Sequence, residues 1–233
     1  MWRLIVPPLA ERYETLAVDL PGHGRSGPIP AGASIEWFAD EVAGLLGNSA
    51  LARPILVGLS MGGGIAQYVA IRNPGLLAAL VLVSTSPVHP EATRQRFLDR
   101  AARAEEEGMD AIVDITVPRW FTPSFAAARP DDVAATEATV RATDPVQFAR
   151  ASRANAARDC TAGLASIDCP VLFMGGLEDP ADPLRSVPIY EREVRDLTIE
   201  LRAEASHLLP VESPGWVTET LGRFIGRIEG GSA

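Results

Sequence analysis

Five short apolar runs have the length and composition of buried β-strands, because each is rich in Val, Leu or Ile and leads into a turn. They are Thr15–Asp19, Pro54–Leu59, Ala79–Ser84, Pro170–Gly175 and Leu197–Leu201. In the first part of the chain, helical patterns lie between them at residues 34–46 and 62–72. Alternating strands and helices predict a mostly parallel sheet with right-handed crossovers, which is an α/β fold.

The alternation stops after Ser84, and residues 89–158 contain no convincing strand. This stretch is rich in Ala, Arg, Glu and Asp, and helical patterns occur at residues 90–107, 109–117, 131–142 and 145–157. An aromatic cluster at Trp120, Phe121 and Phe125 is expected to face inward. We therefore expect a core formed by residues 1–88 and 159–233, with a helical cap at residues 89–158.

Two helical patterns follow when the alternation resumes. The first covers residues 184–194, and we expect it to break at Pro188, because proline lacks the backbone N–H that a helix needs. The second runs from about Pro214 to Ile228, with Val217, Leu221 and Phe224 on one face. These helices complete the prediction of a sheet that is flanked by helices.

Composition limits the possible partners. A chain of 233 residues is long enough for one domain with an insertion, and its formal net charge of −9 disfavours nucleic acid and anionic membranes, which would repel it. Cys160 and Cys169 are too few for a disulfide framework and lack metal-ligand spacing, so we expect free thiols. No apolar run reaches the roughly 18 residues of a membrane span, and the start is not typical of a signal peptide. We expect a cytoplasmic protein without a metal or other cofactor.

Gly58–Gly62 is the stretch with the clearest chemical meaning. Ser60 stands between two glycines in a G-x-S-x-G pattern, after a predicted strand and before a predicted helix. That context is typical of a nucleophile elbow, which holds a serine hydroxyl above the sheet at a helix N-terminus. An ordinary glycine-rich strand-to-helix loop is the alternative.

A serine nucleophile needs a histidine base, and the chain has three histidines. His207 follows the last predicted strand, so it is expected at the same edge of the sheet as Ser60. His23 lies in a Pro-Gly-His-Gly turn, where a role in stabilising the turn is expected, and His89 is expected on the surface where the cap begins. We therefore favour His207 as the base, over a purely structural role.

The base in turn needs a carboxylate, and the loop after the Pro170–Gly175 strand offers Glu178, Asp179 and Asp182. Acidic residues beside prolines are commonly turn formers. The order Ser60, Asp179, His207 nevertheless matches the chain order of the triad in α/β-hydrolases. Asp19 is a weaker alternative, because it precedes the serine and lies in a different loop.

The sequence resembles the α/β-hydrolase superfamily, and within it most closely the 3-oxoadipate enol-lactonases. The superfamily blocks are Val18–Ser26, Gly58–Gly63, Gly176–Asp179, His207 and Glu212–Pro214. The lactonase-like pieces are Pro8–Tyr13, Arg119–Pro123, Ala128–Pro130 and the run into Cys169–Pro170. The resemblance implies an α/β-hydrolase fold, with Ser60 as nucleophile, Asp179 as acid, His207 as base and the Met61 N–H as an oxyanion donor.

The resemblance also implies a truncated N-terminus. Members of the family begin with further strands and a His-Gly segment that supplies a second oxyanion donor, whereas Met1–Trp2 falls where the helix after that segment is expected. We therefore expect a start site placed too late, or a fragment. The family's first three strands are therefore expected to be absent, and the third of them would lie between the strands at Leu16 and Pro54. Its loss would leave unpaired strand edges in the sheet, and direct pairing of those two strands is one way to compensate for it.

The resemblance implies a small-molecule substrate, an ester or a carboxylate-bearing enol-lactone of aromatic catabolism. Arg119, Arg153 or Arg158 would pair with such carboxylates, and Trp120 would line the pocket. General carboxylesterases, cofactor-free perhydrolases and C–C bond hydrolases share the same triad. An alternative from a different functional class is a catalytically impaired binding protein or a fragment. The oligomeric state stays open.

Overall fold

The computed structural model describes residues 1–180 and 183–230, and its sheet has four parallel strands. They are β1 (Ile55–Leu59), β2 (Ala79–Val83), β3 (Val171–Gly176) and β4 (Leu197–Arg202). The strands lie side by side in chain order, with Val57 opposite Val81 and Val81 opposite Leu172. Four of the five predicted strands are thereby confirmed. Their carboxyl ends meet at one edge, where Ser60 follows β1 and the loops carrying Asp179 and His207 follow β3 and β4.

Helices fill both faces of this sheet. In the described part of the chain the α-helices are α1 (Val6–Ala10), α2 (Ile35–Gly47), α3 (Met61–Arg72), α4 (Glu91–Glu107), α5 (Met109–Thr116), α6 (Pro123–Ala128), α7 (Pro130–Arg141), α8 (Pro145–Ala156), α9 (Pro183–Glu193), α10 (Leu209–Glu212) and α11 (Pro214–Gly230). Short 3-10 turns occur at Trp2–Leu4, Val117–Arg119 and Thr161–Ser166. Within these described ranges, no helix combines the length and apolar character needed to cross a membrane.

Side chains alternate between the two faces of the sheet, as they must along a β-strand. Leu80 and Phe173 pack on one face with buried residues of α2, α3 and α9. Val81 and Leu172 pack on the other face with buried residues of α10 and α11. This two-sided burial explains why β2 and β3 are apolar at nearly every position.

Helices α4 to α8 all lie between β2 and β3, where the sequence predicted a helical insertion. Helix α4 packs along α8, and an isolated antiparallel bridge between Val88 and Asp159 joins the two ends of the insertion. The division into a core and a cap at residues 89–158 stays a prediction. The aromatic cluster does face inward: Phe121 is buried and stacks on Phe125 with 5.3 Å between ring centroids.

The predicted strand at Thr15–Asp19 is wrong. Residues 14–20 pair with no strand in the described part of the chain, and Leu16 and Val18 are 56% and 46% exposed. A strand exists only through hydrogen bonds to a neighbour, and no ladder joins this segment to β1. Direct pairing of the two segments, the compensation considered from the sequence, is therefore also wrong.

The predicted break at Pro188 is wrong as well, because α9 continues through it. A proline inside a helix removes the single hydrogen bond that its own N–H would donate to the residue four positions earlier. For Pro188 that acceptor is Leu184, in the first turn of α9. Only one backbone hydrogen bond near the start of the helix is lost, so the rest of the helix is retained.

Candidate active site

Ser60 occupies a strained turn between β1 and α3. Its backbone angles are φ 53° and ψ −115°, which few non-glycine residues adopt. Gly58 makes the turn possible, because a Cβ there would collide with the backbone of Gly62. Helix α3 begins at Met61, and the first N–H groups of a helix have no acceptor within it. The turn therefore places a hydroxyl beside free backbone donors.

Replacing Gly58 by alanine is expected to lower the free energy of unfolding by about 1–3 kcal/mol, because the added methyl group overpacks the turn. Chemical denaturation of the purified protein measures this loss. Gly62→Ala is the matched control, since a Cβ at Gly62 meets no atom within 4 Å. An equal loss of stability in both variants would contradict the packing argument.

The backbone of Ser60 is fixed by neighbouring elements as well as by its own helix. Its N–H donates to the carbonyl of Val83 at 2.9 Å, at the end of β2. Its carbonyl accepts from the N–H of Gly64 at 3.0 Å, from Thr85 Oγ1 at 2.7 Å and from Arg158 Nη1 at 3.3 Å. The strained conformation is thus held from several directions.

His207 and Asp179 meet at the carboxyl ends of β3 and β4. Nδ1 of His207 lies 2.9 Å from Oδ2 of Asp179, and both residues are buried, at 8% and 5% exposed. Since a carboxylate accepts, the imidazole donates from Nδ1, which leaves Nε2 of the neutral ring with a lone pair. The pair can hold a histidine in the tautomer of a general base.

The loop that carries His207 is bound to the segment before α6. The N–H of Leu208 donates to the carbonyl of Trp120 at 3.1 Å, and the indole stacks on the imidazole with 6.3 Å between ring centroids. Glu212 accepts from the N–H of Ser206 at 2.7 Å and from the N–H of Thr122 at 2.9 Å. Sequence reasoning assigned Glu212 no role, although its place in the Glu212–Pro214 block was a signal.

The other candidates for the acid are exposed, bonded within their own loop, or outside the described residues. Glu178 is exposed, and Asp182 falls outside the described ranges. Asp19 accepts from the N–H of Arg25 at 3.2 Å, within its own loop. His23 donates from Nδ1 to the carbonyl of Pro21 at 3.0 Å, so it stabilises its turn as expected.

His89 is half-buried, whereas the sequence predicted a surface position. Its ring lies 4.9 Å from that of Phe97, and Nε2 accepts a hydrogen bond of 2.9 Å from Arg158. Burial, and to a lesser extent the Arg158 charge, lower the pKa of His89 to about 3, so its imidazole is neutral at pH 7. Arg158 lies 69 residues further along the chain, so the local sequence does not reveal this burial.

A cavity of about 2410 Å³ lies over the carboxyl ends of the strands and continues along the edge of β1. Residues lining it include Ser60, Met61, Arg119, Trp120, Arg158, Asp179 and His207. Arg153 is not among the lining residues, because it pairs with Glu105 on the surface at 2.5 Å. The predicted site residues thus border one cavity, whereas Arg153 does not, which removes Arg153 from the candidates for substrate binding.

Both cysteines are buried free thiols, as predicted. Burial raises the pKa of Cys160 to about 12 and that of Cys169 to about 11. Neither forms the thiolate that a cysteine nucleophile requires at neutral pH. Ser60 is therefore the stronger candidate nucleophile.

Comparison with known proteins agrees with this architecture. A model of the alpha/beta hydrolase family matches residues 1–220. The chain is 28% identical over 214 residues to 3-oxoadipate enol-lactonase 2 of Acinetobacter baylyi, covering 92% of this chain and 79% of the relative. The enol-lactonase of Burkholderia xenovorans superposes with a TM-score of 0.91 at 27% identity, covering 97% of this chain and 85% of the other. A thermophilic esterase from Thermogutta terrifontis, solved with malate bound, gives the same TM-score, identity and coverage. The chain therefore belongs to the alpha/beta hydrolase family.

Proposed function

We propose that this chain hydrolyses carboxylic esters or lactones through Ser60, His207 and Asp179. The observation that carries the proposal is the 2.9 Å hydrogen bond from His207 Nδ1 to Asp179 Oδ2, beside a cavity that Ser60 also lines. This bond leaves Nε2 of His207 as the proton acceptor that a serine nucleophile needs. The family relationship supports the same class of reaction.

In the proposed reaction, Ser60 Oγ attacks the substrate carbonyl while His207 Nε2 takes its proton. The carbonyl electrons move to oxygen, and the resulting oxyanion accepts a hydrogen bond from the N–H of Met61. The intermediate then collapses to an acyl-enzyme, and His207 returns the proton to the leaving oxygen. Water then attacks the acyl carbon while His207 takes its proton, the bond from that carbon to Ser60 Oγ breaks, and His207 returns the proton to Ser60 as the acid product leaves. Asp179 holds the imidazole throughout.

We further propose an enol-lactone of the 3-oxoadipate type as the substrate. Similarity to the enol-lactonases of A. baylyi and B. xenovorans supports this choice. Trp120 and Arg119 line the cavity and are the proposed substrate contacts. A general carboxylesterase is the second candidate, favoured by the equally close similarity to that esterase.

Steady-state kinetics with two substrates tests the choice. We expect kcat/KM for 3-oxoadipate enol-lactone to exceed that for 4-nitrophenyl acetate by at least about 100-fold, equivalent to about 2.7 kcal/mol of transition-state binding. A preference for the aryl ester would favour the general carboxylesterase. If neither substrate is hydrolysed faster than in buffer, the proposed reaction class is wrong.

A further inference from the structure

Arg158 lies behind Ser60 with its charge buried. Its side chain is only 2% exposed, and in residues 1–180 and 183–230 no carboxylate forms an ion pair with it. Its donors reach the carbonyl of Ser60 at 3.3 Å, Ser86 Oγ at 3.5 Å and His89 Nε2 at 2.9 Å, all of them uncharged. Among the residues that the structure describes, its Nε has no hydrogen-bond partner. Burying a cation without an anion is unfavourable, so the arrangement calls for a functional reason.

The Ser60 carbonyl oxygen accepts hydrogen bonds from both Arg158 and Thr85. This oxygen belongs to the peptide group between Ser60 and Met61. The N–H of that same peptide group is the proposed oxyanion donor. Hydrogen bonds to a carbonyl oxygen draw electron density towards it, which makes the N–H of the same amide a stronger donor. The guanidinium therefore acts on the oxyanion donor from the opposite side of one peptide bond.

We propose that Arg158 is a positioning residue that fixes and polarises the Ser60–Met61 peptide and so stabilises the oxyanion formed at Ser60. The inference rests on the proposed function, because it requires that oxyanion. Gly64 leaves the space that the Arg158 guanidinium occupies, since a Cβ at that position would overlap it. The guanidinium also lies beside the N-terminus of α3, which is the positive end of the helix dipole. The two positive fields therefore add at the oxyanion.

Two other roles for Arg158 predict different measurements. A residue that only clamps the cap to the core would lower the melting temperature when it is replaced. A receptor for a substrate carboxylate would affect anionic substrates alone. Polarisation of the peptide instead predicts a loss of kcat that does not depend on substrate charge. It also predicts little loss of stability, because an unpaired buried charge is removed.

The experiment compares the wild type with Arg158→Met and Arg158→Lys. The substrates are two 4-nitrophenyl esters of equal chain length, one ending in a methyl group and one in a carboxylate. Arg158→Met is expected to lower kcat for both by about 10- to 100-fold with KM nearly unchanged, which is less than the roughly 100- to 1000-fold loss of a direct oxyanion donor. Arg158→Lys should recover part of the loss, because it keeps a cation.

Affinity for a trifluoromethyl ketone, which adds to the serine hydroxyl and carries an oxyanion, is expected to fall by the same factor as kcat. Arg94→Met is the matched control, because Arg94 lies on α4, is half exposed and pairs with Glu91. The control should leave kcat and inhibitor affinity unchanged. Melting temperatures of all variants are recorded alongside.

Thr85→Val provides an independent measurement if Arg158→Met does not fold. It removes the 2.7 Å hydrogen bond to the same carbonyl and keeps the side-chain volume. Parallel losses in kcat and inhibitor affinity are expected. An unchanged kcat in Arg158→Met or Thr85→Val, or a loss confined to the anionic ester, would overturn the proposal. A wild-type protein that hydrolyses neither of these esters nor 3-oxoadipate enol-lactone would instead refute the proposed function.

Discussion

Replacing Ser60 by alanine is expected to lower kcat for ester hydrolysis by about a million-fold, the loss seen when a serine nucleophile is removed from a complete triad. Alanine retains the Cβ, so the strain at φ 53° is the same in both proteins. The backbone bonds of residue 60 to Val83 and Gly64 do not involve the hydroxyl and are kept. The variant should therefore fold normally while losing only the attacking oxygen.

Two measurements check this outcome: kcat with a 4-nitrophenyl ester, and covalent labelling by a fluorophosphonate probe. The wild type should be labelled and Ser60→Ala should not. Ser152→Ala is the matched control, because Ser152 is a buried serine that lines the same cavity without a proposed catalytic role. Equal labelling of the wild type and Ser60→Ala would show that another residue is the nucleophile.

The strands were predictable where burial on two faces imposes an apolar sequence. β2 and β3 are buried at every position, and their apolar runs predicted them almost to the residue. The run at Thr15–Asp19 has a similar composition but forms no strand. The difference is non-local, because a strand needs a hydrogen-bonded neighbour and the sequence of one segment does not show whether a neighbour is present.

Most predicted helices are present, and the two errors, α6 and the break at Pro188, have local reasons. Helix α6 was missed because Pro123–Ala128 is too short to show a helical period, although Thr122 caps it by accepting from the N–H of Phe125 at 3.2 Å. Pro188 predicts a break from sequence, but α9 continues through it. In both cases the capping or breaking residue is visible in the sequence, but its effect on the helix is not.

The sequence predicted which loops carry the candidate site residues, but the residues alone did not show which carboxylate pairs with the histidine. Topology places the residues after β1, β3 and β4 at one edge, which predicted Ser60 and His207 together. Glu178 and Asp179 are neighbours in the same loop, and only the resemblance favoured Asp179. Arg158 is buried against Gly64 of α3, a contact between segments far apart in the chain that no pattern in either segment encodes.

Replacing Asp179 by asparagine is expected to lower kcat by about 10,000-fold at neutral pH, with little change in structure. The asparagine amide offers N–H groups to His207 Nδ1, so the ring places its proton on Nε2, where it cannot accept from Ser60. Glu178→Gln is the matched control, because it makes the same change in charge at the adjacent, exposed position. Kinetics with one ester and thermal melting of both variants measure the effect. A similar loss of kcat in the two variants would mean that net charge in the loop matters, and that the 2.9 Å bond from His207 to Asp179 does not select the tautomer.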